Sequence, residues 1–206
     1  MRPVLIAFVI LFTGPAVSAQ DLCFQHLTTD DGLSDNAITC VHEDNAGIIW
    51  IGTENGLDRY DGTSVQQIAG ARMHISAVIQ DRQGTLWIAT ASNGLLRYGP
   101  SRDEISAFVH NEKDRTTIIT DQLTALYDLN DTTLLIGARE ASLIFMDKRT
   151  QRFSYWNDSL SLSPAHASAQ PLTRKGWCHA LIPLDDDRLW IGFLHNYTSL
   201  LLDRTT

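Results

Sequence analysis

The apolar positions of this chain fall in short runs, and the runs recur with their flanking turns. Residues 47–62 read GIIWIGTENGLDRYDG, and residues 84–99 read GTLWIATASNGLLRYG. A phrase written twice points to a repeat before it points to a site. Aligning on Trp50, Trp87, Leu135 and Trp190 brings four units together: Ile follows in each (Ile51, Ile88, Ile136, Ile191), and a small residue follows that (Gly52, Ala89, Gly137, Gly192). Nine residues before each anchor stands an aliphatic, Val41, Val78, Leu126 or Leu181. Between them lies a polar turn: Asn45-Ala46-Gly47, Arg82-Gln83-Gly84, Asn130-Asp131-Thr132 or Asp185-Asp186-Asp187.

Each unit predicts a first strand (ITCVHE, ISAVIQ, LTALYD, CHALIP), a tight turn, and a second strand (IIWIGT, TLWIAT, LLIGA, RLWIGF). Gly, Asn and Asp in the linking turn suit the positive φ angles of a hairpin. The second strand is almost continuously apolar, as expected where both faces are covered. A third strand follows at GLDRYD, GLLRYG, SLIFMD and TSLLLD, and a weaker fourth at SVQQIA, EISAFV and RFSYW. Four antiparallel strands per unit, with anchors 37, 48 and 55 residues apart, describe β-propeller blades. The fold class is all-β, about three and a half blades of an incomplete propeller, with blade cores near 36–69, 74–109, 120–156 and 177–206. The Trp is expected to be an apolar plate between blades, burying on the order of 200 Å². The small residue two places on allows close approach of the next blade, and the Gly of Asn-Gly-Leu is expected to make the turn.

The N-terminus belongs to no blade. Arg2, the apolar run Val4–Phe12, the break at Gly14-Pro15 and the small residues around Ala19 predict a secretory signal peptide over residues 1–19. That run is shorter than the roughly 20 residues a membrane helix needs, so the mature chain is expected to be exported. The net charge is −8, one unit more negative once Arg2 is removed, which argues against nucleic acid as a partner. Three cysteines (Cys23, Cys40, Cys178) allow one disulfide but no disulfide framework.

Little in the sequence promises catalysis. The seven histidines (His26, His42, His74, His110, His166, His179, His195) show no metal-ligand spacing. His179 beside Cys178 reads better as a core or channel-lining pair than as a metal site. Asp185–Asp187 occupy the hairpin turn and lack the Gly and distal Glu of a calcium loop. Asp30-Asp31 and Glu43-Asp44 could be imagined as acid pairs, but Asp44 and Asp81 recur at one repeat position, which favours a turn role. No catalytic residue, metal or cofactor is assigned. Residues 157–176, rich in Ser, Ala and Pro, read as an excursion from one rim. Trp156, Trp177 and Tyr197 are the candidates for stacking on a ligand such as a sugar ring.

Residues 24–62, FQHLTTDDGLSDNAITCVHEDNAGIIWIGTENGLDRYDG, closely resemble the opening of a two-component regulator propeller, the periplasmic sensor half of many bacterial histidine kinases. Residues 75–99 match well; the third unit has Leu135 for Trp and lacks Gly-Leu, and the fourth keeps only Trp190-Ile191-Gly192. The resemblance implies a seven-bladed propeller, often one of two, followed by a β-sandwich, a membrane helix and cytoplasmic signalling domains. It implies a periplasmic location, a small-molecule or oligosaccharide ligand, a homodimer in some cases, and the remaining blades and a membrane-anchored kinase as partners. It implies, too, that the segment around Phe24–Leu27 completes the last blade of a full ring. On that reading the chain is the N-terminal piece of a longer sensor, itself not an enzyme and without its output domain. The alternatives are a secreted propeller lyase or hydrolase, or a free-standing secreted binding scaffold.

Overall fold

The computed structural model describes residue 24 and residues 26–99, 104–114, 116–139, 142–155, 177–185, 188–194 and 199–203. The leader expected over residues 1–19, together with Cys23, Trp156, His195 and Tyr197, lies outside the described residues. Four antiparallel sheets follow one another. The first holds β1 (Ile38–Glu43), β2 (Ile49–Thr53), β3 (Leu57–Tyr60) and β4 (Val65–Gln67); the second β5 (Ile75–Gln80), β6 (Leu86–Thr90), β7 (Leu95–Gly99) and β8 (Glu104–Phe108). The third holds β9 (Leu123–Asp128), β10 (Thr133–Ala138), β11 (Ser142–Asp147) and β12 (Arg152–Tyr155); the fourth β13 (Trp177–Pro183), β14 (Arg188–Leu194) and β15 (Ser199–Asp203). Within each sheet the strands lie in chain order, so each is a meander. Successive sheets touch through their first strands, β1 on β5, β5 on β9 and β9 on β13, which fans them about one axis as propeller blades.

The core lies in the seams between sheets. One cluster joins Trp50, Leu57, Ile68 and Ala71 of the first sheet to Ile75, Val78, Leu86, Ile88, Leu96 and Tyr98 of the second. The next joins Trp87, Ala89 and Leu95 to Ile118, Leu123, Leu126, Leu134 and Ile136, and a third joins Leu135 and Leu143 to Cys178, Leu189, Ile191 and Phe193. The second strands of the second and third sheets are buried on both faces because each lies between two seams. All of β6 is buried, as are Leu134–Ala138 of β10.

Every first strand carries a bulge at the same place. Thr39, Ser76, Thr124 and His179 each stand between two residues that pair with consecutive partners on the second strand. A bulge bends the strand and increases its twist, here where the four first strands converge. Thr39 and Thr124 use it to donate their hydroxyls to the next sheet's first strand, at the carbonyls of Ile75 and Cys178.

The hairpin turns partly follow expectation. Gly47 and Gly84 have φ of +79° and +83°. In the third sheet Asn130 keeps a negative φ and works through its side chain, whose Oδ1 accepts from the amides of Thr132 and Thr133 at 2.9 Å each.

Candidate functional site

The repeated polar residues form a structural apparatus. In the first turn, Asp44 Oδ1 accepts from the amides of Ala46 (2.8 Å) and Ile48 (3.0 Å), and Oδ2 accepts from the indole N–H of Trp50 at 2.9 Å. Asp81 repeats this with Gln83, Thr85 and Trp87, each at 2.9 Å. A buried indole needs an acceptor for its N–H, and the Asp that closes the turn supplies it. Burial by itself would raise the Asp44 carboxyl; the Trp50, Ile48 and Ala46 donors hold it below the usual carboxylate range. The rings then cross the seams: Trp50 meets Tyr98 edge-on with centroids 5.4 Å apart, and Trp87 lies tilted against Phe108 at 6.1 Å; Phe108 in turn meets Phe153 of the third sheet at 6.0 Å.

The rest of the motif has equally local jobs. The hydroxyls of Thr53 and Thr90, both fully buried, donate to the carbonyls of Gly56 (2.9 Å) and Gly94 (2.7 Å) and accept from the amides of Asn55 and Asn93. Of those glycines only Gly94 has a positive φ, at +74°. Gly56 is needed for a different reason: a Cβ there would lie 2.6 Å from Ser34 Oγ. Ser34 sits so close because its amide and hydroxyl donate to the fully buried Asp58 at 2.8 and 2.6 Å. The Ser of Gly-Leu-Ser and the Asp of Gly-Leu-Asp are thus one clamp, holding the entry segment on β3. Sequence reading missed it because the two residues stand 24 apart.

The small residue after Trp-Ile admits the next blade. A Cβ on Gly52 would strike Cys40 Sγ and stand 2.8 Å from Ile75 Cγ2 of the next sheet; on Gly137 it would stand 3.0 Å from Cys178 Sγ. At Gly192, with no described sheet beyond, the half-buried ring of Trp190 occupies that space, 2.9 Å from the same point.

The third sheet lacks the hydrogen-bonded Asp–Trp clamp of the first two. Leu129 and Leu135 stand at the Asp and Trp positions, and Ala138 at the Thr position. In exchange, Lys148 of the β11–β12 turn reaches Asp128 at 2.8 Å and crosses the seam to Asp81 at 3.5 Å, its side chain only 3% exposed. Arg82 adds its amide to Asp128 Oδ2 at 3.1 Å, and Gln83 donates to the Asp131 carbonyl at 2.9 Å.

The remaining candidates occupy separate places. His42 lies in the first seam, where its Nε2 accepts from the Gln80 amide at 2.9 Å. Burial pushes its imidazole below the ordinary value, against the pull of Asp44. Asp31 closes a capping box with Thr28, and Glu43 is exposed. Cys178 is buried and its thiol is pushed up to about 12 by burial, whereas His179, the bulge residue, is exposed. Cys40 and Cys178 are free thiols in different seams. Trp177 is half-buried with the Arg139 guanidinium 4.1 Å above its ring. Among the described residues no group of three or more His, Cys, Asp or Glu is placed to hold a metal, and no helix is long and apolar enough to cross a membrane.

One cavity of about 280 Å³ stands apart from this apparatus. It lies at the blade end opposite the Asp–Trp turns, where residues 109–122 connect β8 to β9, and it is lined by His110, Glu112, Asp114, Thr117, Ile119 and Tyr155. The His110 amide donates to Asp121 Oδ1 at 2.6 Å, and its Nδ1 lies 2.8 Å from the Ile118 carbonyl. A carbonyl can only accept, so Nδ1 carries a proton. Tyr155 donates its hydroxyl to the Thr117 carbonyl at 2.6 Å, and burial pushes its phenol above the ordinary value.

Comparison with known proteins bears on the repeats. The family model described as two component regulator propeller matches residues 32–55 and 70–92. Over 66 residues, 30% of this chain and 5% of the relative, the sequence is 35% identical to histidine kinase P4 of Formosa agariphila. Among solved structures, the extracellular domain of BT3049 of B. thetaiotaomicron, named as a hybrid two component system, superposes with a TM-score of 0.69 at 22% identity, over 87% of this chain and 25% of that one. That of BT4673, named as a one component system, gives 0.55 at 20% identity, over 81% and 21%. Virginiamycin B lyase of Staphylococcus aureus gives 0.56 at 16% identity over 85% and 58%, a likeness of fold alone. Residues 32–55 and 70–92 thus match two component regulator propeller repeats, and the described sheets form an arc of all-β propeller blades.

Proposed function

We propose that this chain is an extracytoplasmic propeller segment of a signal-transduction sensor of the two-component histidine kinase type. In this reading ligand binding, or association of two propellers, changes the packing of membrane-proximal domains, and a downstream kinase reads the change. The observation that carries it is the match of residues 32–55 and 70–92 to regulator propeller repeats. The geometry supports a binding role: Asp44, Trp50, Thr53, Asp58, Asp81 and Trp87 are engaged in holding turns and seams. Their engagement leaves recognition to the connecting loops, as is usual when a rigid scaffold positions them.

Reading the coding frame beyond Thr206 tests the proposal. Further blades, a membrane helix and a histidine-kinase core are expected, and a stop codon directly after Thr206 would sink it. Export is tested separately by N-terminal sequencing of the protein recovered from the cell envelope. Cleavage after Ala19, giving a chain that starts at Gln20, is the expected result.

A further inference from the structure

The β2–β3 and β6–β7 turns are two copies of one device, and each contains an Asn-Gly pair, Asn55-Gly56 and Asn93-Gly94. Both asparagines are exposed and both glycines are buried. In each turn the Thr hydroxyl accepts from the Asn amide, and the Gly carbonyl accepts from the Thr amide and hydroxyl. Each Asn side chain is restrained by one further bond: the Asn55 NH₂ donates to Asp35 Oδ2, and Asn93 Oδ1 accepts from the Ser92 hydroxyl at 3.2 Å. The turns differ at the glycine nitrogen. The Gly94 amide donates to the carbonyl of Asp121, in the segment leading into β9, at 3.1 Å. Among the described residues nothing accepts from the Gly56 amide, because the segment leading into β5 offers its Ala71 carbonyl to Leu57 instead, at 3.2 Å. A buried main-chain donor left without a partner is rare.

In an Asn-Gly pair no Cβ hinders the glycine nitrogen from approaching the Asn side-chain carbonyl. To attack, that nitrogen must lose its proton and leave any acceptor it holds. We propose that Asn55 is a site of spontaneous modification with water as the reactant, and that the Asp121 carbonyl protects Asn93 from the same fate. A solvent base takes the Gly56 amide proton, the nitrogen bonds to Asn55 Cγ, and the Cγ–Nδ2 bond breaks. Ammonia leaves with a proton taken from water. Water then opens the five-membered imide at either carbonyl. One product is aspartate; the other, isoaspartate, carries the main chain through Cγ and lengthens the turn by one carbon. Either product sets a carboxylate against Asp35 and beside Glu54, where a neutral donor stood. Isoaspartate also draws the Gly56 carbonyl away from Thr53. Ser34, which packs on Gly56 and is tied to Asp58, then loses part of its support, and the entry segment loosens from the first sheet. This inference is independent of the sensor reading.

Incubation of the whole folded chain at mildly alkaline pH, followed by peptide mass spectrometry with enzymatic labelling of isoaspartate, tests it. Conversion at Asn55 should outpace that at Asn93 by about fivefold, the factor set by one hydrogen bond that must first break. In urea, where both turns are unfolded, the two rates should converge, which assigns the difference to the fold rather than to neighbouring residues. Equal rates in the folded chain, faster conversion at Asn93, or no conversion at Asn55 overturns the proposal. So does a preference for Asn55 that persists unchanged in urea. The consequence is read separately in Asn55→Asp, which adds the charge without lengthening the turn. Hydrogen exchange at the Ser34 amide should quicken in that variant, and an unchanged rate would overturn the loosening of the entry segment.

Discussion

The first two blades and the third solve one packing problem by different chemistry. Blades one and two bury an indole in the seam and satisfy its N–H with the Asp that closes the neighbouring turn. In blade three both members of the pair are Leu; Leu135 is fully buried and the turn is closed by Asn130. A fully buried indole without an acceptor is costly, and where the fourth sheet keeps a Trp with Leu184 at the Asp position, that ring, Trp190, is only half-buried. Polar contact across the second seam falls instead to Lys148, between Asp81 and Asp128. A seam therefore requires a filled apolar layer, whereas the hydrogen-bonded clamp can be exchanged for a charge network.

The most damaging way to test this contrast is truncation of the plate. Trp87→Ala should lower unfolding free energy by about 3–5 kcal/mol in urea titration. Leu135→Ala should cost less, about 2–4 kcal/mol, because no carboxylate loses a partner; an equal or larger loss would deny the clamp its share. Next comes the network. Lys148→Met leaves two carboxylates facing each other with little solvent and should cost about 3 kcal/mol, read by the same titration. Adding Asp128→Asn to that variant should restore part of the loss, because one carboxylate is removed while Asp81 keeps both oxygens for its turn and the Trp87 indole.

The glycine of a described seam can then be compared with that of the fourth sheet, beyond which no sheet is described. Gly52→Ala forces Cβ into Cys40 and Ile75 and should cost about 1–3 kcal/mol. Gly192→Ala meets chiefly the half-buried Trp190 ring, which can move, so its effect on thermal unfolding should be smaller. The smallest effect is that of pH. His42 is held neutral in the first seam, with its folded value below the ordinary 6.5. The unfolded chain then binds the proton first, so stability is full above pH 6.5 and declines as pH falls below it. The loss should stay under about 1 kcal/mol because the ring is only half-buried. It should vanish in His42→Gln, and a loss that persisted there would assign it to another group.

The fifteen strands among the described residues and their order were legible along the chain because short apolar runs and Gly, Asn or Asp turns are local properties, repeated from unit to unit. The Asp–Trp clamp was half legible: recurrence of Asp44 and Asp81 marked a turn role, and the six-residue step to the indole was within reach of the pattern. What only tertiary structure decided are contacts between residues far apart in sequence. Ser34 meets Asp58, Thr39 meets the Ile75 carbonyl, Lys148 meets Asp81, and Tyr155 closes on Thr117 to wall the cavity. No periodicity encodes such pairs. They exist because meanders fanned around an axis bring the turns of neighbouring blades together at each end, and a polar group buried there must find its partner across the seam.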